Sequence, residues 1–132
     1  PYHDAISRFI KDKKQNDLSL CIVSIHSFTP KLNSQKPRPW HIGVLWDRDR
    51  RMSDMVIQDL KKNKGICIGE NKPYSGNLTG DTLFQHGTSN KIPHVLIELR
   101  NDLINSKSAQ QNWARLISKT INNSYSRLIG VR

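Results

Sequence analysis

The stretch from Leu18 to Ile25 (LSLCIVSI) constrains the fold more than any other part of this chain. It has strand length and is almost continuously apolar, the pattern of a strand buried on both faces. Such a strand needs a neighbour on each edge and packed layers above and below. Further apolar runs of strand length follow at His41–Trp46 (HIGVLW), Ile66–Gly69 (ICIG) and His94–Leu99 (HVLIEL). Between them the apolar residues change to helical spacing. Ala5, Ile6, Phe9 and Ile10 share a face between Tyr2 and Lys14. Met52, Met55, Val56 and Leu60 do so between Arg50 and Asn63, where Gly65 ends the helix. Trp113, Leu116, Ile117 and Ile121 do so from about Ser108 to Tyr125. Strands alternating with helices predict an α/β fold, a mostly parallel sheet flanked by helices. The segments Lys31–Pro39 and Glu70–Thr88, rich in Pro, Asn or Gly, are expected to be loops, the second with one helical turn.

At 132 residues the chain has the length of a single domain. It contains no run near the ~18 apolar residues of a membrane helix, and its apolar runs are too internal and short for a signal peptide. Cys21 and Cys67 each sit in an apolar run without the CxxC spacing of a zinc site. They are expected to be reduced core thiols, which points to the cytoplasm. The chain opens at Pro1-Tyr2-His3 and enters a helix at once, so the sequence is expected to begin inside a domain.

Lysine and arginine exceed aspartate and glutamate by 21 − 11, a net charge of +10. That excess invites a nucleic-acid reading. The basic residues are nevertheless interspersed with acidic ones, as in Asp47-Arg48-Asp49-Arg50-Arg51, and lack the interleaved aromatics of a single-strand-binding face. A solvated surface with some attraction for anionic substrates is the better reading, and nucleic acid the weaker one.

In parallel sheets, chemistry gathers beyond the carboxyl ends of the strands. Two residues stand out there. His26, flanked by Ser24 and Ser27, is either a metal ligand or a histidine satisfying a backbone carbonyl. Glu98, within Val95–Arg100, is either a desolvated carboxylate with a raised pKa, suited to general-base work, or half of an ion pair with Arg100 on the same strand face. Arg38, held between Pro37 and Pro39, either captures a carboxylate or is an ordinary exposed arginine. Tyr74, Ser75, Gly76, His86 and Gly87 either shape a pocket or make turns, and His41 lies close enough to Arg38 to share its mouth. Trp40, Trp46 and Trp113 are expected to be packing residues, and His3 and His94 to be peripheral.

Six segments in order, PYH, SIHSFTP, RPWHIGVLW, GENKPYSG, LFQHG and PHVLIELRNDLI, resemble the N-formylglutamate amidohydrolase family from Pro1 to about Trp113. The resemblance implies a zinc-exopeptidase-like α/β domain with a phosphorylase/hydrolase-like sheet, of which this chain, residues 1–132, would be the C-terminal portion. It implies that His26 is a zinc ligand and that Glu98 activates the zinc-bound water. Arg38, Asn71, Tyr74, His86 and Arg100 would then shape the pocket for an N-formyl or N-acyl amino acid such as N-formylglutamate. The family's remaining histidine and acidic ligands would belong to an upstream segment, because no H-x-x-E pair occurs here. Two further readings follow: a catalytically inactive relative, and self-association through a sheet edge that an upstream segment would otherwise cover.

Overall fold

The computed structural model describes residues 1–16, 19–33 and 35–130. Four strands, β1 (Ile22–Phe28), β2 (Ile42–Leu45), β3 (Ile68–Glu70) and β4 (His94–Arg100), form one sheet in the order β1-β4-β2-β3. β1 runs parallel to β4 and β2 parallel to β3, while β2 and β4 are antiparallel. The sheet is therefore mixed but mostly parallel, in an α/β arrangement with helices on its faces, as the alternation predicts. The helices are α1 (Tyr2–Gln15), α2 (Arg51–Leu60), α3 (Thr82–His86) and α4 (Lys107–Leu128).

One face of the sheet carries the main core. Val95, Ile97 and Leu99 of β4 and Ile42 and Val44 of β2 meet Met52, Val56, Ile57 and Leu60 of α2 and Ile117 of α4. The apolar residues of α2 recur with helical period, so burying one face of the helix covers the sheet. α4 starts at Ser106, whose hydroxyl accepts from the Ala109 amide at 3.2 Å. That bond satisfies one of the first-turn N–H groups left over in any helix. The opposite face is covered more thinly: Leu45 and Leu96 pack with Leu83 of α3. α3 is capped by Asp81, which accepts from the Phe84 amide at 2.7 Å. α1 contributes one buried residue, Ile10.

Several expectations are corrected. The first strand lies at Ile22–Phe28, four residues beyond the start of the apolar run (Leu18 is outside the described residues), and it is an edge strand. Ile22 to Ser24 are half-buried and Ile25 to Ser27 exposed, so continuous apolarity here does not mean two-sided burial. His26 therefore lies within the strand and not after it. The third strand is displaced toward Glu70. Cys67 is exposed and Cys21 half-buried, so the pair are not both core thiols. His94 is buried, its Nδ1–H donating to Ile92 O at 2.7 Å and its Nε2 facing Thr88 Oγ1 at 3.3 Å. Among the described residues, no helix is long and apolar enough to cross a membrane.

Candidate functional site

Strand register assembles the centre of the site. In the parallel β1–β4 ladder His26 stands opposite Glu98, and in the antiparallel β2–β4 ladder Gly43 stands opposite the same residue. Opposed residues share a sheet face, so Glu98 has an imidazole on one side and no side chain on the other. The gap at Gly43 is filled by backbone: a Cβ there would collide with the Lys72 carbonyl oxygen. The turn carrying Lys72 to Tyr74 thus crosses the sheet directly beside Glu98.

Glu98 is buried, 6 % exposed. Its Oε1 lies 4.0 Å from Nδ1 of His26, while its Oε2 is buried with no hydrogen-bond partner. Burial raises the Glu98 carboxyl above its ordinary value, and the nearby His26 and Arg38 charges pull the other way. The expected ion pair with Arg100 does not form. Arg100 turns to Asp102, with Nε donating to Oδ1 at 2.8 Å, and to the Arg38 carbonyl at 3.1 Å. It clamps the end of β4 to the preceding loop and is not brought to the Glu98 carboxylate. His26 is open to solvent, and its Nε2 lies 3.1 Å from Ser24 Oγ.

Arg38 is not an exposed arginine: it is buried, 9 % exposed. Its Nη1 donates to Thr29 O at 3.1 Å, to Thr29 Oγ1 at 3.4 Å and to the Tyr74 hydroxyl at 3.1 Å. The guanidinium also lies over the rings of Tyr74 (5.1 Å) and Phe28 (5.8 Å). A planar cation held on several sides has its direction fixed in advance, the arrangement that suits carboxylate recognition. Tyr74 is therefore joined to the site. Thr29 and Phe28 are unforeseen members, and the only trace of them in the sequence is their place in SFTP beside His26.

Other expected residues are placed elsewhere. Asn71, with φ +49°, accepts at Oδ1 from the amides of Trp46 (2.9 Å) and Gly76 (3.2 Å), so its side chain is spent on shaping the turn. His86 lies in α3, upstream of the start of β4, with Nε2 3.0 Å from Nδ1 of His3 in α1. It joins two helices and does not join the Glu98 group. His41 accepts at Nδ1 from the Cys67 amide at 3.0 Å, a structural use of its ring.

The donor chemistry matches zinc in kind and falls short in number. An imidazole nitrogen and an unpartnered buried carboxylate oxygen are suitable donors, but catalytic zinc takes three protein ligands. Among the described residues, no three His, Cys, Asp or Glu side chains come together as a metal-holding group.

A solved structure, that of a gene product from Agrobacterium tumefaciens, is similar over 97 % of this chain, with 29 % sequence identity and a TM-score of 0.87. This chain covers 50 % of that one, and so spans about half its length. No functionally curated protein matches the chain. The family model for N-formylglutamate amidohydrolase matches residues 1–105, which include β1 to β4 and every candidate residue above. The chain belongs to the N-formylglutamate amidohydrolase family.

Proposed function

We propose that this chain supplies the general base and the substrate-orienting half of a site that hydrolyses the amide bond of an N-formyl or N-acyl amino acid, N-formylglutamate among them. The observation that carries the reading is the buried Glu98 carboxyl, with one oxygen unpartnered and a histidine beside it. A carboxyl with a raised pKa is suited to take a proton from an attacking water and return it to the departing amine. Arg38, held by Thr29 and Tyr74, orients the carboxylate of the substrate, which spares the reaction part of its entropic cost. The family membership supports the same reaction class. On this reading the chain corresponds to the C-terminal portion of a larger domain.

His26 is the donor this chain would offer to a zinc ion whose other ligands lie beyond the described residues. Bound there, zinc would polarise the acyl carbonyl and acidify the water. A second reading, a folded but catalytically inactive relative, is favoured by the incomplete donor set.

The two are separated by formate release from N-formylglutamate and by zinc per chain, for the wild type, His26→Ala and Glu98→Gln. Zinc lost in His26→Ala, with formate release lost in Glu98→Gln, supports the hydrolase. Absence of both zinc and formate release, in this chain and also in a longer form that carries the remaining ligands, establishes the inactive relative, whereas zinc and formate release in the longer form alone support the half-site reading.

A further inference from the structure

Side chains alternate between the two faces of a strand, so residues two apart are neighbours on one face. On β1 this places Ser24 beside His26, on the face that also carries Glu98. Ser24 Oγ lies 3.1 Å from Nε2 of the imidazole, within hydrogen-bond distance. Opposite Ser24 on β4 is Leu96, which offers the hydroxyl no polar group. The other ring nitrogen, Nδ1, is the one nearer Glu98, but at 4.0 Å from Oε1 it is too far away for a hydrogen bond. The two nitrogens of one ring thus meet different surroundings: one is bonded to a hydroxyl, and the other stands unbonded beside the general base.

We infer that Ser24 is a positioning residue: it accepts the Nε2–H of His26, fixes the neutral ring in that tautomer and leaves the Nδ1 lone pair on the Glu98 side. A neutral imidazole carries one proton and one acceptor nitrogen. Placed on Nδ1, the proton finds no acceptor in reach, whereas on Nε2 it finds Ser24 Oγ. A serine hydroxyl can accept this bond while its own hydrogen points elsewhere. The contact requires no loop closure, because both residues lie on one strand whose backbone is registered against β4 from Ile22 to Phe28.

On the hydrolase reading, which gives this arrangement its purpose and on which it rests, Nδ1 is the nitrogen that His26 offers to zinc. A histidine that holds a metal characteristically donates its other ring N–H to a fixed acceptor, which sets both tautomer and ring orientation. Ser24 is that acceptor here.

Long-range ¹H–¹⁵N correlations from the carbon-bound ring protons read the tautomer directly. They are recorded on the whole metal-free chain at about pH 8.5, where an ordinary imidazole is neutral, with His26→Ala to assign the signals. The expected wild-type result is a protonated Nε2 and an unprotonated Nδ1. Ser24→Ala is expected to move both shifts toward those of a tautomer mixture, and Ser24→Thr, which keeps the hydroxyl, to restore them. Ser27→Ala, on the opposite face of β1, leaves them unchanged. The buried ring of His94, bonded to Ile92 O, is the internal control for folding and stays constant in all variants. A wild-type His26 protonated on Nδ1 overturns the proposal, as does a tautomer balance identical in wild type and Ser24→Ala. Zinc affinity is measured separately, in a longer form that carries the remaining ligands, where Ser24→Ala is expected to lower it by about 10–100-fold. An unchanged affinity there overturns the positioning role. A fixed Nε2–H tautomer without zinc uptake in either form counts against the hydrolase reading alone and leaves the Ser24–His26 bond established.

Discussion

Glu98 and His26 face each other across the β1–β4 ladder, Nδ1 of the histidine 4.0 Å from Oε1 of the carboxylate, and the second carboxylate oxygen is buried without a partner. Because burial lifts the Glu98 carboxyl, the folded protein keeps its proton at a pH where the unfolded chain has lost it. Stability therefore falls as pH rises from the ordinary carboxylate range through the raised folded value. Glu98→Gln removes that slope and, by removing a charge whose burial outweighs the pull of His26 and Arg38, raises stability at neutral pH by about 1 kcal/mol. Urea unfolding at several pH values is the check. In any preparation that releases formate, the same substitution lowers the rate by ~10²–10⁴-fold.

Arg38 links β1 to the loop after β3. Replacing it with methionine leaves the Tyr74 hydroxyl and the Thr29 carbonyl without their charged donor. A loss of about 2–3 kcal/mol is expected, against about 1 kcal/mol for Tyr74→Phe. The two residues share a hydrogen bond, so the double variant costs less than the sum of the singles, as a double-mutant cycle in urea will show.

Gly43 is a packing requirement of the site. Alanine there drives a methyl group into the Lys72 carbonyl, next to the Cβ of Glu98 at 3.4 Å. The turn bearing Tyr74 must move, and we expect a loss of about 1–3 kcal/mol together with a changed Tyr74 environment. Thermal unfolding and tyrosine fluorescence measure the two effects.

Acid should release α1. Burial, and then the charge of His3, hold His86 below the ordinary histidine value. The folded state binds fewer protons than the unfolded one, so this contribution is present above about pH 6.5 and is lost as pH falls through the folded value. α1 buries only Ile10 and makes its histidine contact through His3. Its amides should exchange disproportionately faster at pH 5 than those of α2, after correction for intrinsic rates, and His86→Leu should remove the difference.

The two thiols should differ in reactivity. Burial pushes Cys21 up to about 11, so it carries very little thiolate at neutral pH, whereas Cys67 is exposed. Iodoacetamide is expected to label Cys67 first, with Cys21 reacting only as the chain unfolds. Mass spectrometry of partially labelled protein decides this.

The amino-acid sequence alone determined the elements and the residues fit for chemistry. Helical period marks α1, α2 and α4 within a few residues, and the apolar runs locate all four strands, because both signals depend on local spacing. A carboxylate inside the apolar strand Val95–Leu99 signals desolvation wherever that strand lies, so Glu98 was legible too. Partnership was not. Whether Ile25 is buried depends on which strand takes the sheet edge, and β1 takes it. Whether Glu98 pairs with Arg100 or stands beside His26 depends on register between segments about seventy residues apart. Arg38 is an exposed loop residue by composition and a buried one in fact, because Thr29, Phe28 and Tyr74 surround it only once the chain has closed. His86 is drawn away to α1 by the same closure. Period and polarity are properties of neighbours along the chain, whereas burial, charge pairing and the shape of a site are properties of neighbours in space, and only the tertiary structure decided those.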